Sequence, residues 1–202
     1  FTEAGNINLV RGDILKTDIS GFFPEEGKLF VFGNIPYCIT TPIIEKILSN
    51  RKNISHAYLL TQDEFAARIV SPPGSKQYGS ISCFVQFYSD AKKIMKVRKN
   101  SFYPRPQVDS ALLSMTILER PAVAVKDEEL MFRIIRKSFM QRRKKISNTL
   151  PHGDFPGLEG REWDEVLAGA GIDPDARPEV LSLEDFARIS DTVSSSGYNL
   201  NI

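Results

Sequence analysis

The chain has 202 residues, 42% of them hydrophobic and 25% charged, and a formal net charge of +1. Those values fit a soluble globular protein of one large domain or two small ones, and global charge alone does not point to nucleic acid. No apolar run reaches the length of a membrane span, no signal-peptide pattern is present, and Cys38 and Cys83 follow no metal spacing, so a reduced, cytoplasmic protein without a metal site is expected.

Alternation over Asn6 to Arg11 predicts a first strand, ending in Gly12-Asp13. A loop containing Gly21, Pro24 and Gly27 leads to a second strand over Leu29 to Phe32. Thr40 or Thr41 can cap a helix with Pro42 in its first turn and an apolar face of Ile43, Ile44, Ile47 and Leu48. His56 to Thr61 is a third strand, and Gln62 to Val70 a helix. After the Ser71-Pro72-Pro73-Gly74 loop, Ser80 to Tyr88 and Lys92 to Arg98 read as two strands or as a short helix and a strand. Val108 to Leu118 is a long final strand. Pro121 marks a change of character: from Asp127 a helix of about six turns is predicted, with Leu130, Met131, Ile134, Ile135, Phe139, Ile146 and Leu150 on one face. A Gly/Pro-rich loop and two more helices follow, over Glu162 to Ala170 and Ser182 to Val193, with Ser182 and Asp185 at capping-box spacing. The tail from Ser194 is expected to fray. An α/β part (1–118) thus precedes an all-helical part (119–202), and the alternation of elements suggests a doubly wound sheet.

The most informative tetrapeptide is Asn34-Ile35-Pro36-Tyr37, presented at the carboxyl end of a buried strand, where ligands bind in open α/β sheets. An exocyclic amine on a nucleobase is a poor nucleophile because its lone pair is delocalised into the ring. The Asn34 side-chain oxygen and a carbonyl from Ile35-Pro36 can accept its protons and localise that lone pair. Pro36 stiffens the turn and Tyr37 can stack on the base. The plain alternative is an ordinary strand-to-turn sequence, since Asn and Pro are common turn residues. No Gly-x-Gly-x-x-Gly array occurs.

Further segments carry a family resemblance. Gly12-Asp13-Ile14-Leu15, Asn34-Ile35-Pro36-Tyr37, the run from Phe102 to Ala111 (Phe-Tyr-Pro-Arg-Pro-Gln-Val-Asp-Ser-Ala), the run from Phe139 to Lys145 (Phe-Met-Gln-Arg-Arg-Lys-Lys), and Arg177-Pro178-Glu179 with Leu183 to Ala187 occur in that order. Together they resemble the KsgA-type ribosomal RNA adenine dimethyltransferases, which use S-adenosylmethionine. The resemblance implies a Rossmann-like methyltransferase sheet, N-terminally incomplete because the glycine-rich cofactor turn precedes this start in the family, followed by a small helical RNA-binding domain; this chain alone is therefore expected to lack full cofactor binding. Cys38 departs from the asparagine usual after the tyrosine.

By that match Asp13, with Ile14 beside it, faces the cofactor adenine, although a lone Gly-Asp reads more readily as a turn. Asn34 contacts both the cofactor and the target amine. Phe102, in a loop stiffened by Pro104 and Pro106, closes the other face of a flipped base or simply packs in the core. The sulfonium donor already carries a good leaving group, so no histidine is required, and His56 and His152 look incidental. Arg142, Arg143, Lys144 and Lys145 end a thirteen-residue stretch with seven cations and no acid. Such a run is a solvated helix face or a phosphate-binding surface; its one-sidedness favours RNA. Arg105 belongs to a second basic stretch near Phe102.

The resemblance implies dimethylation of adenines near the 3′ end of small-subunit ribosomal RNA by a protein monomeric at full length, with the small ribosomal subunit as partner and no membrane or metal. Competing readings are an Erm-type enzyme acting on large-subunit RNA, and a non-catalytic RNA-binding ribosome assembly factor. The Phe139 to Lys145 and Arg177-Pro178-Glu179 segments argue against the first, and the Asn34 to Tyr37 turn against the second.

Overall fold

The computed structural model describes residues 7–151, 155 and 158–196. Four strands, β1 (Leu29–Asn34), β2 (Ile54–Gln62), β3 (Ser89–Val97) and β4 (Ser110–Ile117), form one sheet in the order β1-β2-β4-β3. β1 and β2 run parallel, and β4 lies antiparallel to both of its neighbours. Helix α1 (Thr40–Ser49) makes the crossover from β1 to β2 and buries Ile43, Ile44, Ile47 and Leu48. Each such side chain contributes roughly 1.5–3 kcal/mol on burial, so this face anchors the chain just beyond the Asn34 turn. Helices α2 (Asp63–Ile69) and α3 (Ser80–Tyr88) follow, and Ser80 to Tyr88 is therefore the helix of its two sequence readings. Ile81, Cys83, Val85 and Phe87 alternate as a strand would, but the adjacent pairs Ser82-Cys83 and Phe87-Tyr88 are buried together on the helix.

The helical part comprises α4 (Glu128–Met140), α5 (Ile146–Thr149), α6 (Gly160–Gly169) and α7 (Leu183–Ser195). It is joined to the sheet part through one continuous apolar core. Phe132 on α4 packs edge-on against Phe84 and Phe87 of α3, and the Tyr88 hydroxyl donates to Glu128 at 2.6 Å. The Ser182 capping box is present: its Oγ accepts from the Asp185 amide at 3.2 Å, and Asp185 accepts from the Ser182 amide at 2.8 Å.

Two sequence expectations fail. The six-turn helix from Asp127 stops at Met140, turns over residues 141–144, and resumes as the single turn α5. Four consecutive cations, Arg142 to Lys145, span more than a full helical turn, so in a continuous helix one of them would enter the apolar face. Breaking the helix lets Arg143, Lys144 and Lys145 face outward while Ile146 and Leu150 remain buried. The Ile146 amide is taken by the Ala176 carbonyl at 2.7 Å. Likewise residues 7–11 form no strand, and Leu9 is 89% exposed; residue 6 lies outside the described residues. Alternation makes a segment competent for a sheet, but a strand needs a neighbour's hydrogen bonds, and no described strand offers them there. The expected fraying after Ser194 lies largely outside the described residues too, although α7 runs to Ser195.

The sheet has one covered face and one open face. On the open face Phe30 stacks on His56 (4.8 Å between ring centroids) and Phe32 on Tyr58 (5.1 Å), yet Phe30 is 58% and Phe32 74% exposed. The β3 edge is guarded by Lys92, Lys93 and Lys96 and by a bulge, whereas β1 (Leu-Phe-Val-Phe-Gly-Asn) carries no charge. Self-association through this edge and face is therefore expected. Sedimentation should depend on protein concentration, and Phe32→Lys should shift the population toward monomer. A single monomeric boundary at every concentration counts against it.

Candidate active site

β1 ends on Asn34, whose side chain is exposed, and the chain turns at Pro36 into one turn of 3-10 helix over Tyr37–Ile39. Gly33 leaves room beside the turn: a Cβ there would stand 3.0 Å from both Ile35 Cγ2 and buried Leu59 Cδ2, so a larger residue would require those side chains to shift. The turn is tied down from three sides. The Pro36 carbonyl accepts from the Ile39 amide at 3.1 Å, and the Tyr37 carbonyl accepts from Thr40 Oγ1 at 3.1 Å. The Tyr37 hydroxyl is bonded to Ser110 Oγ at 2.7 Å, which fixes the ring against the first residue of β4.

Opposite this turn lies the loop between β3 and β4. Phe102, Pro104 and Pro106 line the same cleft as Asn34, Ile35, Pro36 and Tyr37, about 550 Å³ in volume. Residues 34–37 and 102–106, far apart in sequence, thus make two walls of one open apolar cleft with a polar amide at its rim. The base of the second wall is an ionic network. Asp109 accepts from the Lys99 amide (2.9 Å) and pairs with Lys96 (2.9 Å). Asp63, at the start of α2, pairs with Lys93 (2.8 Å) and Lys96 (3.3 Å). The Lys99 amide and then the Lys96 ammonium hold the Asp109 carboxyl below its usual range; the Lys93 hydrogen bond, with Lys96, does the same for Asp63.

This network gives a pH prediction with a definite sign. A carboxyl whose folded pKa is depressed supports the fold above the ordinary value of 3.8 and ceases to do so as pH falls through the depressed value. Acid is therefore expected to release the Phe102 loop. The Lys99 amide resonance should titrate with Asp109, and Asp109→Asn should reproduce the acid position at neutral pH. A Lys99 resonance indifferent to both changes would rule the network out as the loop's anchor.

Asp13 and Ile14 are exposed and are not among the residues lining this cleft. Asp13 Oδ1 accepts from the Leu15 amide at 2.9 Å, and Lys46 on α1 holds the turn through the carbonyls of Thr17 (2.6 Å) and Leu15 (3.3 Å). The predicted basic residues separate by role. Arg143 and Lys144 are exposed, and so is Arg105 on the Phe102 loop. Lys145 pairs with Asp175 at 2.8 Å. Arg142 is turned inward: its Nη2 donates to the carbonyls of Lys76 (2.8 Å) and Tyr78 (2.7 Å), and it pairs with Glu179 at 3.5 Å. His56 belongs to the open-face aromatic stack, and His152 lies outside the described residues.

Ser110, Asp63 and Lys46 were not singled out from the sequence. Ser110 does lie inside the Phe102 to Ala111 run, but nothing local says that it reaches Tyr37. Among the described residues no group of three or more His, Cys, Asp or Glu is placed to hold a metal, and no helix is long and apolar enough to cross a membrane.

A mixed sheet with α/β crossovers, a helical extension, and an Asn-Ile-Pro-Tyr turn at a strand's carboxyl end together define a Rossmann-like methyltransferase. Two solved structures share the fold. A dimethyladenosine transferase from Plasmodium falciparum superimposes with a TM-score of 0.78 at 24% identity, covering 97% of this chain and 75% of that one. The 23S rRNA methyltransferase ErmE gives 0.64 at 23% identity, covering 94% and 72%. Residues 1–194 match the ribosomal RNA adenine dimethylase family, and the chain belongs to that family. Proteins named ribosomal RNA small subunit methyltransferase A are similar to it: 44% identical in Moorella thermoacetica (93% of this chain, 67% of that protein) and 40% in Oceanobacillus iheyensis (94% and 66%). The chain thus spans about two thirds of the length of these relatives.

Proposed function

We propose that this protein dimethylates the exocyclic amines of adenines near the 3′ end of small-subunit ribosomal RNA, in the cytoplasm, with S-adenosylmethionine as methyl donor. The observation that carries the reading is the shared cleft of Asn34, Pro36 and Tyr37 with Phe102. A flipped adenine fits between Tyr37 and Phe102, since a stacked base cannot present its amine. Asn34 Oδ1 and the Ile35 carbonyl accept the amine protons, the Pro36 carbonyl being engaged by Ile39. Localising the lone pair on nitrogen is the work required of the protein, because the donor's sulfonium supplies an electrophilic methyl with a good leaving group. After attack the cationic nitrogen sheds its proton. A second transfer requires a pocket that tolerates the first methyl, and the openness of an apolar cleft of this size supports that.

Asn34 at the rim, with Asp13 and Ile14 on a turn held by α1, are the residues of this chain that would meet the cofactor. Residues 1–118 carry the chemistry and 119–202 dock RNA, through Arg143 to Lys145, with Arg105 adding a contact beside the cleft. The test is calorimetric binding of S-adenosylmethionine, with Asn34→Ala as control, followed by methyl transfer to small subunits lacking adenine dimethylation. Labelled methyl groups on adenine amines are the expected product. RNA binding without cofactor binding or transfer would leave a non-catalytic assembly factor as the better account.

A further inference from the structure

A second cavity, about 720 Å³, lies apart from the Asn34 cleft. It is a groove whose walls come from distant parts of the chain: Lys76, from the loop before α3, on one side, and Met140, Arg143 and Lys144 on the other. Lys76, Arg143 and Lys144 are all exposed. At the bottom lies the Arg142 guanidinium, with Nη2 on the Lys76 and Tyr78 carbonyls, a carboxylate contact to Glu179, and Nε enclosed. Both attachment points are rooted. The Glu179 carbonyl accepts from the Gly74 amide at 2.6 Å, and the fully buried Tyr78 ring packs edge-on against Phe139 at 5.9 Å.

We infer that Arg142 is a positioning residue, which clamps the 141–144 turn to the 74–78 loop and the Glu179 segment so that Lys76, Arg143 and Lys144 face one RNA phosphate track across the groove. The inference rests on the RNA-docking reading above, and it adds Lys76 to the docking surface. All three contacts converge on Nη2, at the far end of the guanidinium, whereas a lysine side chain keeps the charge but is shorter and stops short of that position. The side chain is partly exposed, but its Nη2 is committed to two backbone carbonyls and an acid, which ties three segments together.

The two roles predict opposite results. If Arg142 touched phosphate, Arg142→Lys would bind almost as the wild type, and Glu179→Gln, by removing a negative charge, would strengthen binding. As a clamp, Arg142→Lys is expected to weaken binding roughly three- to tenfold despite the retained charge, and Glu179→Gln to weaken it despite the charge gained. Lys76→Gln and Arg143→Gln should each reduce the salt slope by about 0.7–0.9 and should lose much of their effect in the Arg142→Lys background. The measurement is fluorescence anisotropy with an adenine-bearing hairpin from the 3′ end of small-subunit ribosomal RNA, over a salt series. Thermal unfolding of each variant separates loss of fold from loss of positioning, and if Arg142→Lys melts early, Glu179→Gln, for which the two roles predict opposite signs, carries the comparison. Wild-type affinity in Arg142→Lys, or tighter binding in Glu179→Gln, would overturn the clamp while leaving RNA docking intact. Binding indifferent to Lys76→Gln, Arg143→Gln and Lys144→Gln alike would overturn the docking reading and the clamp with it.

Discussion

Replacing Asn34 with alanine is expected to lower the rate of methyl transfer about 10²- to 10³-fold, the usual cost of removing one preorganised polar group aimed at a developing charge. The side chain is exposed at the end of β1 and set at the rim of the cleft, so its loss disturbs no packing. What disappears is the acceptor that draws the amine out of conjugation. RNA affinity should change little, because Arg143 and Lys144 belong to a separate groove. Single-turnover transfer to small subunits lacking adenine dimethylation, read beside hairpin binding, separates the two effects. A loss below threefold would remove Asn34 from the chemistry. Tyr37→Phe is the informative companion: it keeps the ring and deletes the 2.7 Å bond to Ser110, so a milder loss than Tyr37→Ala is expected if stacking is the ring's main task.

Trp163→Ala is expected to cost about 3–5 kcal/mol, a large part of the total stability of an ordinary domain. The indole is fully buried on α6, edge-on to Phe155 at 5.1 Å, whose ring in turn lies 5.3 Å from the Arg133 guanidinium. For a chain of this length the fall in Tm is roughly 6–20 °C. Among the described residues the indole N–H finds no acceptor. Trp163→Phe removes that buried donor, so it should cost clearly less than alanine, since an unpaired buried polar group itself costs about 1–3 kcal/mol. Thermal and denaturant unfolding measure both variants. A phenylalanine variant as unstable as the alanine one would mean that the N–H is satisfied.

Much of this molecule is written locally. Ile43, Ile44, Ile47 and Leu48 recur at helical spacing and form the buried face of α1; Ser182 and Asp185 stand at capping distance and make that cap. The Asn34 to Tyr37 turn is legible because its special residue types are contiguous and follow a strand. The failures are equally instructive. Residues 7–11 alternate as a strand does, but whether they become one depends on a neighbour that no local pattern encodes. The apolar period of α4 continues through Ile146 and Leu150, which hides the break at Met140; the break is decided by where Arg143, Lys144 and Lys145 can be hydrated and by the carbonyls waiting for Arg142.

By itself, then, the sequence determined the element types wherever period and caps agree and the identity of the turn at the end of β1, because each rests on residues within a few positions of one another; the family was legible from five short segments in a fixed order along the chain. The tertiary structure decided which wall faces that turn, that Ser110 holds Tyr37 and that Asp63 and Asp109 share Lys96 beneath the Phe102 loop, and that one arginine of a basic run points inward while its neighbours point out. Those outcomes depend on chain segments tens of residues apart meeting in space. Side-chain hydrogen bonds and ion pairs act over about 3 Å, and no spacing along the chain reports such a distance.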